Sequence, residues 1–363
     1  MARIRLVAPN EVPGALAGAL DGSGEVLAPL SADPAERAAA LAMLRPDIAE
    51  DTPDALLVAA TSGSTGRPKG VVLSRGAVVA AAAAAHARLG GGGQWTCVLP
   101  MSYVAGLMVL ARSHLAGFSA RVVGDGSIPP AEAGVRSYIS VVPAQLHRAL
   151  AHPPALAALA TYDAVLVGGA ALAPDLRASV EGAGVRVVAT YGATETCGGV
   201  VYDGVPLGGV TVALGTDDRI QLTTPSVFSG YRLDPDATAR VLSGSTFTTS
   251  DRGRWDGSML TVLGRADDVV ISGGVNVDLA ELQRVVDQLY GAERVVVVAV
   301  PDPRWGQMVV AATVSPEVAA LVRDDLAGRV SRAATPKEVR LVDSFPRLSS
   351  GKIDRRALGV SWA

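Results

Sequence analysis

The sequence has 363 residues, of which 49% are hydrophobic and 18% are charged, and its formal net charge is −3. This length is sufficient for two or three domains and a large hydrophobic core, and the composition is that of a globular protein. The charge balance excludes the basic surface that binds nucleic acid and a polybasic membrane patch. No apolar run has membrane-spanning length, the N-terminus lacks a signal-like apolar segment, and the two cysteines form no disulfide framework. We therefore expect a soluble cytoplasmic protein without membrane insertion.

The first half of the chain alternates short apolar runs with helical patterns. A helix is predicted over residues 33–44, a buried strand at 55–60, and an alanine-rich helix that ends before Gly90. Further strands are predicted at residues 96–100, 120–123, 138–142, 164–167 and 185–189, with helices at 143–150 and 174–181. This alternation predicts an α/β fold with a largely parallel sheet.

The pattern changes in the second half of the chain. From about residue 210, short strands separated by turns predict a β-rich subdomain. A boundary is expected within residues 264–274. Beyond it, a helix at 278–290, strands at 294–300, 308–314 and 339–342, and one more helix predict a small α+β domain.

A polar segment, Thr-Ser-Gly-Ser-Thr-Gly-Arg-Pro-Lys-Gly, occupies residues 61–70 directly after the first buried strand. Glycines let the backbone approach a ligand closely, and successive N–H groups in such a turn bind anions. The hydroxyls add donors, and Arg67 and Lys69 add positive charge, so a polyphosphate is the expected ligand. A solvated Gly/Ser loop is the alternative. The segment is not a Walker P-loop, because Gly70 follows Lys69, and this excludes a P-loop phosphotransferase.

The ten-residue string resembles the signature loop of the adenylate-forming enzymes, which include acyl-CoA synthetases, adenylation domains and luciferases. The resemblance implies that the loop holds the β- and γ-phosphates of ATP. The implied contacts are Thr61, Ser62, Gly63, Ser64, Thr65, Gly66 and Lys69. It also implies an N-terminal adenylation domain at residues 1–266 and a mobile C-terminal domain at residues 267–363.

A second motif, Tyr-Gly-Ala-Thr-Glu at residues 191–195, follows a predicted strand, at the sheet edge where open α/β folds bind ligands. By resemblance, Tyr191 and Gly192 contact adenine, Thr194 bonds the α-phosphate, and Glu195 holds Mg²⁺. A carboxylate suits this hard cation, and an aromatic face suits a purine. The resemblance also implies an adenine-side loop at Gly169, Ala170 and Ala171. Ordinary polar or tight turns are the alternatives for both segments.

Four more residues match the family's site by resemblance. Asp251 corresponds to the aspartate that accepts both ribose hydroxyls, and Arg265 to an arginine that contacts ribose and phosphate. Asp267 corresponds to the hinge about which the C-terminal domain turns. Lys352 corresponds to the catalytic lysine, whose mobile ammonium can meet both a carboxylate and the α-phosphate. Without the family pattern, Asp251 would be interpreted as an ordinary hairpin aspartate, Asp267 as a surface turn charge and Lys352 as a solvent-exposed lysine.

The resemblance implies a reaction in two halves. A substrate carboxylate attacks the α-phosphorus of Mg-ATP, which releases pyrophosphate and leaves an acyl-adenylate. The C-terminal domain then withdraws Lys352 and admits a thiol, usually coenzyme A. Because no protein nucleophile is required, Cys97 and Cys197 are interpreted as core thiols.

Only about sixty residues precede the signature loop, so we expect part of the family's usual N-terminal subdomain to be missing or reduced. This compact form resembles the short bacterial 2-succinylbenzoate–CoA ligases of menaquinone biosynthesis, as do residues 99–113 and 140–146. That substrate has a second carboxylate, which needs a cation if it is buried. Arg112 follows an apolar segment at residues 104–111, and we expect it to bind this carboxylate with Ser113 and Tyr103. The alternative is that Arg112 caps a helix and faces solvent.

Three other functions are considered. The enzyme could activate another aryl or acyl acid, or it could load a carrier protein in place of free coenzyme A. A nucleotide-binding regulator without catalysis is disfavoured because Lys69, Glu195, Asp251 and Lys352 are all present. Apart from these small-molecule partners, a homodimer is the default expectation.

Overall fold

The computed structural model describes residues 2–61, 68–348 and 353–362. The chain forms two compact units. The first comprises Met1–Ala213, Gln221–Thr248 and Trp255–Leu260, and the second comprises Leu214–Ile220, Thr249–Arg254 and Thr261–Ala363. The division after residue 266 that the sequence suggests remains a prediction. None of the helices in the described part of the chain has both the length and the apolar character needed to cross a membrane.

The first unit begins with a five-stranded sheet in the order β1-β2-β3-β4-β14. Its strands are β1 (Ile4–Val7), β2 (Val26–Pro29), β3 (Ala55–Thr61), β4 (Lys69–Ser74) and β14 (Gly230–Tyr231). The helices α1 (Val12–Leu20) and α2 (Pro34–Leu44) connect the first three strands, which run parallel. β3 and β4 pair antiparallel, with Thr61 opposite Lys69.

A seven-stranded sheet follows, in the order β11-β10-β9-β8-β7-β5-β6. Its strands are β5 (Gln94–Cys97), β6 (Arg121–Val122), β7 (Ser137–Val141), β8 (Ala164–Val167), β9 (Val187–Ala193), β10 (Gly198–Tyr202) and β11 (Val205–Pro206). The helices are α3 (Arg75–Leu89), α4 (Val104–Leu115), α5 (Pro143–Leu150), α6 (Pro153–Leu159) and α7 (Pro174–Gly182). β6, β5, β7, β8 and β9 are parallel, and the apolar strands β7 and β8 are buried throughout, as expected for strands covered on both faces.

Short strands make up the next part of the chain. β12 (Thr211–Leu214), β13 (Arg219–Thr223), β15 (Leu242–Ser243), β16 (Thr246–Trp255) and β17 (Leu260–Arg265) form a third sheet, in which β17 pairs with β16. A short helix, α8 (Pro235–Ala239), begins at Asp234, whose carboxylate accepts a hydrogen bond from the backbone N–H of Ala237.

The C-terminal part of the second unit is a small α+β fold. Its elements are β18 (Val269–Ser272), β19 (Val275–Asp278), α9 (Leu279–Tyr290), β20 (Val295–Asp302), β21 (Gly306–Thr313), α10 (Pro316–Leu326), β22 (Glu338–Leu341) and α11 (Arg355–Val360). The sheet order is β19-β18-β21-β20, and β22 pairs parallel with β21. Apolar residues of α9 and α10 pack on β20 and β21, with Val286, Val297 and Val322 fully buried. Asp278 caps α9 through the N–H groups of Ala280 and Glu281.

The α/β fold class expected from the sequence is confirmed, and the strand at 55–60 and the helices at 34–44, 143–150 and 174–181 lie within a residue of their predicted positions. The apolar segment that precedes Arg112 belongs to helix α4. Two differences stand out. The residues before 30 form a strand, a helix and a second strand, although they carry few local signals. The strand predicted at residues 185–189 begins at Val187 and continues to Ala193, so Tyr191 lies inside it instead of after it.

Candidate active site

The two strands that flank the signature motif place Lys69 on a rigid element. The sequence predicts one loop over residues 61–70, but Thr61 is the last residue of β3 and Lys69 is the first residue of β4. The Thr61 hydroxyl donates to the carbonyl of Lys69 across this pair at 3.4 Å. The predicted phosphate contacts Ser62, Gly63, Ser64, Thr65 and Gly66 lie outside the described residues.

The motif at residues 191–195 is held in a tight turn where β9 ends. Thr194–Thr196 form a single 3₁₀ turn, and the Thr196 hydroxyl accepts from the N–H of Ala193 at 2.9 Å and lies 2.8 Å from the carbonyl oxygen of Gly198. Gly192 is required here, because a Cβ at this position would lie 2.0 Å from the Gly198 carbonyl oxygen. The turn therefore fixes the backbone from which Thr194 and Glu195 project.

Glu195 is oriented by an aromatic residue that sequence analysis did not identify. The Tyr231 hydroxyl donates to Oε1 of Glu195 at 2.8 Å, and the N–H of Phe228 donates to the Glu195 carbonyl at 2.8 Å. Burial, together with the charge of Glu195 and this hydrogen bond, raises the pKa of Tyr231 well above its ordinary value. The phenol is therefore a proton donor to Glu195 at any physiological pH. No local pattern marks Tyr231, which is 36 residues from Glu195.

Tyr231 also contacts Lys69, so it joins two of the predicted site residues. The Lys69 ammonium nitrogen lies 4.4 Å from the centroid of the Tyr231 ring, within cation–π range. Tyr231 sits on β14, which pairs with β4. The structure thus brings the predicted phosphate-binding lysine and the predicted metal-binding carboxylate to the two sides of one phenol.

The donor set around Glu195 fits a magnesium ion carried by a nucleotide. Such an ion keeps several waters and is bound by one or two carboxylates plus substrate phosphates. Among residues 2–61, 68–348 and 353–362, no group of three or more His, Cys, Asp or Glu side chains could form a complete metal site. One carboxylate beside a lysine is therefore the arrangement expected for Mg-ATP, and not for a metal held by the protein alone.

The predicted adenine-side loop follows β8 and lies against β9. Gly169 has φ +82°, and Ala170 and Ala171 are exposed, so small residues line this edge. A Cβ at Gly168 would lie 2.6 Å from Oγ1 of Thr190. Thr190 in turn donates to the carbonyl of Val167 at 3.2 Å and holds the loop to β9. The segment that carries Tyr191 and the predicted adenine loop are thus adjacent.

Arg112 is buried in the last turn of α4 with only 4% of its surface exposed, which overturns the alternative that it faces solvent. Its guanidinium lies 5.1 Å from the ring centroid of Trp95. Within the described part of the chain, several buried polar atoms near it have no hydrogen-bond partner, namely Nε of Arg112, Nε1 of Trp95, Nε2 of His86 and the hydroxyl of Tyr202. Burial and then the charge of Arg112 lower the pKa of His86, which therefore adds a neutral imidazole to this cluster.

The two residues predicted to assist Arg112 have different environments. The Ser113 side chain is fully buried, and its Oγ accepts a hydrogen bond from the N–H of Trp95 at 3.2 Å. Ser113 thus fastens α4 to β5. Tyr103 is partly buried at the N-cap position of α4, one end of the helix, whereas Arg112 lies in its last turn. Their contact with substrate remains a prediction. The neighbours His86, Trp95 and Tyr202 were missed because they lie on other elements.

The second unit brings together three predicted residues. Arg265 forms a two-point ion pair with Asp267, with Nε–Oδ1 and Nη2–Oδ2 distances of 2.8 and 2.9 Å. Its Nη1 atom also lies 3.8 Å from Oδ1 of Asp251. The Asp267 hydrogen bond raises the pKa of Arg265, with further contributions from the charges of Asp267 and Asp251. The predicted ribose-binding and hinge residues are therefore electrostatically linked.

Lys352 lies outside the described residues, but the chain on both sides of it is ordered by pairing. Arg347 forms an antiparallel bridge with Ile353, and the N–H of Asp354 donates to the carbonyl of Pro346 at 2.7 Å. Asp354 then caps α11. Residues 346–347 and residues 353–354, which are described, are thus hydrogen-bonded to each other.

The cysteines are buried and unpaired, as expected for core thiols. Burial raises the pKa of the Cys197 thiol to about 12 and also raises that of Cys97. Neither thiol is therefore ionised at neutral pH, and a thiolate nucleophile is excluded at both positions.

Comparison with known proteins identifies the family. Residues 13–231 match the family described as AMP-binding enzyme, and residues 281–352 match its C-terminal domain. The chain is 41% identical over 329 residues to a probable 2-succinylbenzoate–CoA ligase of Mycobacterium tuberculosis, covering 84% of each protein. It is 30% identical to the 2-succinylbenzoate–CoA ligase of Enterococcus faecalis, covering 81% of this chain and 67% of that protein. An indoleacetate–CoA ligase of Aromatoleum aromaticum is 32% identical, with 85% and 67% covered.

Solved structures agree in fold. A variant of E. coli MenE with bound OSB-AMS has a TM-score of 0.81 at 24% identity, over 99% of this chain and 87% of that one. The o-succinylbenzoate CoA synthetase (MenE) from Bacillus subtilis, in complex with OSB-AMP, has a TM-score of 0.75 at 23% identity, over 98% and 82%. Because the family match covers more than half of the chain, the protein belongs to the AMP-binding, adenylate-forming enzymes.

Proposed function

We propose that this protein is an AMP-forming 2-succinylbenzoate–CoA ligase of menaquinone biosynthesis. It activates one carboxylate of 2-succinylbenzoate with ATP, forms the acyl-adenylate with release of pyrophosphate, and transfers the acyl group to coenzyme A with release of AMP. The relatives named for this reaction support the proposal, since one of them is 41% identical over 84% of both chains.

The observation that carries the choice of acid is the buried Arg112. A guanidinium that is only 4% exposed, with an unpartnered Nε, needs an anion to offset its desolvation. The carboxylate of 2-succinylbenzoate that is not activated supplies one. The hydroxyl of Tyr202 and the imidazole of His86 are further unpartnered polar groups beside it, suited to a carboxylate or a ketone oxygen.

On the nucleotide side, Lys69 and residues 62–66 bind the β- and γ-phosphates. Tyr191 and the Gly169 loop enclose adenine, and Asp251 accepts the ribose hydroxyls. Thr194 donates to the α-phosphate, where charge develops during attack. A magnesium ion bound with ATP would supply positive charge that offsets the charge of the phosphates, and Glu195 is the residue that would hold it.

The second half of the reaction requires the C-terminal domain to turn about Asp267. We infer that Arg265 exchanges its ion pair with Asp267 for contacts with ribose and phosphate as the nucleotide binds. Lys352 neutralises the attacking carboxylate and the α-phosphate during adenylation and then withdraws, so that the thiol of coenzyme A can reach the acyl-adenylate. A homodimeric state and a cytoplasmic location remain predictions from the sequence.

A second candidate is activation of an aryl acid with a single carboxylate, which the 32% identity to an indoleacetate–CoA ligase favours. The buried Arg112 distinguishes the two candidates. An acid without a second anionic group would leave this buried guanidinium without an anionic partner. That arrangement costs about 3–5 kcal/mol.

Pyrophosphate release with 2-succinylbenzoate, benzoate, indoleacetate and a medium-chain fatty acid tests the proposal. We expect 2-succinylbenzoate to give the highest kcat/KM of the four acids. Arg112→Ala should raise the KM for 2-succinylbenzoate at least about thirtyfold and leave the KM for benzoate nearly unchanged. Arg148→Ala, on the exposed face of α5, is the matched control. An unchanged KM for 2-succinylbenzoate in Arg112→Ala would refute the assignment, and a preference for indoleacetate would favour the second candidate.

A further inference from the structure

We propose that Tyr231 is a positioning residue that holds Lys69 and Glu195 at the spacing needed for metal-bound triphosphate. The inference rests on the proposed use of ATP, and it adds a residue to that site. Tyr231 contacts both groups at once, since its hydroxyl is 2.8 Å from Oε1 of Glu195 and its ring centroid is 4.4 Å from the Lys69 nitrogen.

The pairing of β14 with β4 explains how Tyr231 reaches Lys69. Tyr231 lies directly opposite Val71 in this antiparallel pair. Side chains on one face of a strand recur at every second residue, so Lys69 is the diagonal neighbour of Tyr231 on the same face. Aromatic and long side chains at diagonal positions can contact each other, and here the lysine side chain extends over the ring. The contact is therefore a consequence of strand register.

The hydrogen bond to Glu195 commits one oxygen of that carboxylate and leaves the other available. The backbone of Glu195 is fixed, because its carbonyl accepts a hydrogen bond from the N–H of Phe228. A phenol that donates to Oε1 sets the carboxylate plane. Because a carboxylate has about four lone-pair sites, Oε2 remains open to a hard cation.

Tyr231 is itself immobilised, which a positioning role requires. Its ring packs on Phe228 at a centroid distance of 5.0 Å, and its N–H donates to Oγ1 of Thr238 at 2.8 Å. The next residue, Arg232, is anchored by a buried ion pair with Glu50. Only 8% of the Tyr231 surface is exposed. The phenol therefore acts as a fixed spacer between a cation and an anion.

This spacer affects the two partners differently. A cation–π contact holds the ammonium by its charge without requiring one particular N–H, so the three donors of Lys69 remain available to phosphate oxygens. The ring thus acts on phosphate binding, and the hydroxyl acts on the carboxylate that would hold the metal. These two contributions can be separated by substitution.

Tyr231→Phe removes the hydroxyl and keeps the ring. Calorimetric titration with ATP, once with excess Mg²⁺ and once with EDTA, gives the factor by which Mg²⁺ strengthens binding. We expect this factor to fall about tenfold in Tyr231→Phe, whereas the affinity for metal-free ATP stays within about twofold. Half-maximal pyrophosphate release should shift to a correspondingly higher Mg²⁺ concentration.

Tyr162→Phe is the matched control. The Tyr162 hydroxyl is also buried and hydrogen-bonded, to Thr96 and to the carbonyl of Pro129, but it contacts neither Lys69 nor Glu195. A general loss of packing would affect both variants alike. The proposal requires the Mg²⁺ factor to remain at the wild-type value in Tyr162→Phe.

Tyr231→Leu removes the ring as well and should weaken binding of metal-free ATP about fivefold relative to Tyr231→Phe. An equal Mg²⁺ factor in the wild type, Tyr162→Phe and Tyr231→Phe would overturn the role of Tyr231 while leaving the proposed function intact. If the wild-type protein bound no ATP in either condition, the proposed function would fail, and this inference with it.

Discussion

Arg232 and Glu50 form an ion pair inside the first unit, with 2.8 Å between Nη1 and Oε2 and with side chains that are 1% and 6% exposed. The guanidinium also donates to the backbone carbonyls of Leu44, the last residue of α2, and of Arg45 and Ile48, which follow it. One side chain thus satisfies a carboxylate and three carbonyls. It joins β14 to the segment that precedes β3, and it lies next to Tyr231.

Replacing Arg232 with Leu should destabilise the first unit strongly. The change leaves Glu50 buried without its cation, and removing one partner of a buried pair costs about 3–5 kcal/mol. Arg5→Leu is the control, because the Arg5–Glu25 pair is 42% exposed on both sides, and exposed pairs contribute only about 0–1 kcal/mol. Urea unfolding followed by tryptophan fluorescence measures both variants. Equal midpoints for the two would contradict the role assigned to Arg232.

The same pair predicts how stability depends on pH. Burial raises the pKa of Glu50, but hydrogen bonds from Thr52 and Arg232 outweigh burial and hold this pKa below its ordinary 4.5. The folded-state pKa is thus lower than the unfolded one. The stabilisation is present above about pH 4.5 and is lost as the pH falls through the folded-state pKa.

Glu50→Gln tests this dependence. The difference in unfolding free energy between the wild type and Glu50→Gln should be largest near pH 7 and should close as the pH falls below about 4.5, where Glu50 becomes neutral. Glu25→Gln, in the exposed pair, should show a small difference throughout. A difference for Glu50→Gln that grew on acidification would mean that the pKa is raised and not lowered.

Asp267→Asn should strengthen nucleotide binding slightly. The substitution removes the charge that neutralises Arg265, so the guanidinium becomes available to a phosphate or ribose oxygen. Because the pair is exposed and screened, the gain in ATP affinity should not exceed about fivefold. Asp217→Asn is the matched control, because Asp217 forms an ion pair with Arg219, which is also two residues away in the chain. Weaker ATP binding in Asp267→Asn would argue against competition for Arg265.

Lys352→Ala should separate the two half-reactions. We expect pyrophosphate release to fall about 10²–10³-fold, by analogy with other preorganised groups that stabilise developing charge. Conversion of a supplied acyl-adenylate to the thioester should persist, because the proposed domain movement withdraws Lys352 before that step. Single-turnover assays of each half-reaction make the comparison, and parallel losses in both would refute the account in which the C-terminal domain turns.

Local patterns were sufficient for much of the fold. The apolar run at 55–60, the capped helix at 34–44 and the alternation of strands and helices up to residue 193 follow from propensity, caps and periodicity, which act between near neighbours. The residues before 30 were missed because four-residue strands such as β1 and β2 carry too little periodicity to identify. The residue types at 61–70 predicted a polyphosphate ligand, and the resemblance to a family assigned this segment and residues 191–195 to ATP; these assignments remain predictions.

The contacts within the site depend on pairings between distant parts of the chain. The register of β14 against β4 puts Tyr231 between Lys69 and Glu195, and the packing of α4 on β5 buries Arg112 against Trp95. Neither sheet order nor register is encoded in a local period, since both are selected by the burial of whole faces. Residue types and their order along the chain were therefore enough to indicate the chemistry. Which groups share a low-dielectric environment, and therefore which charges need a partner, depends on the packing of distant segments.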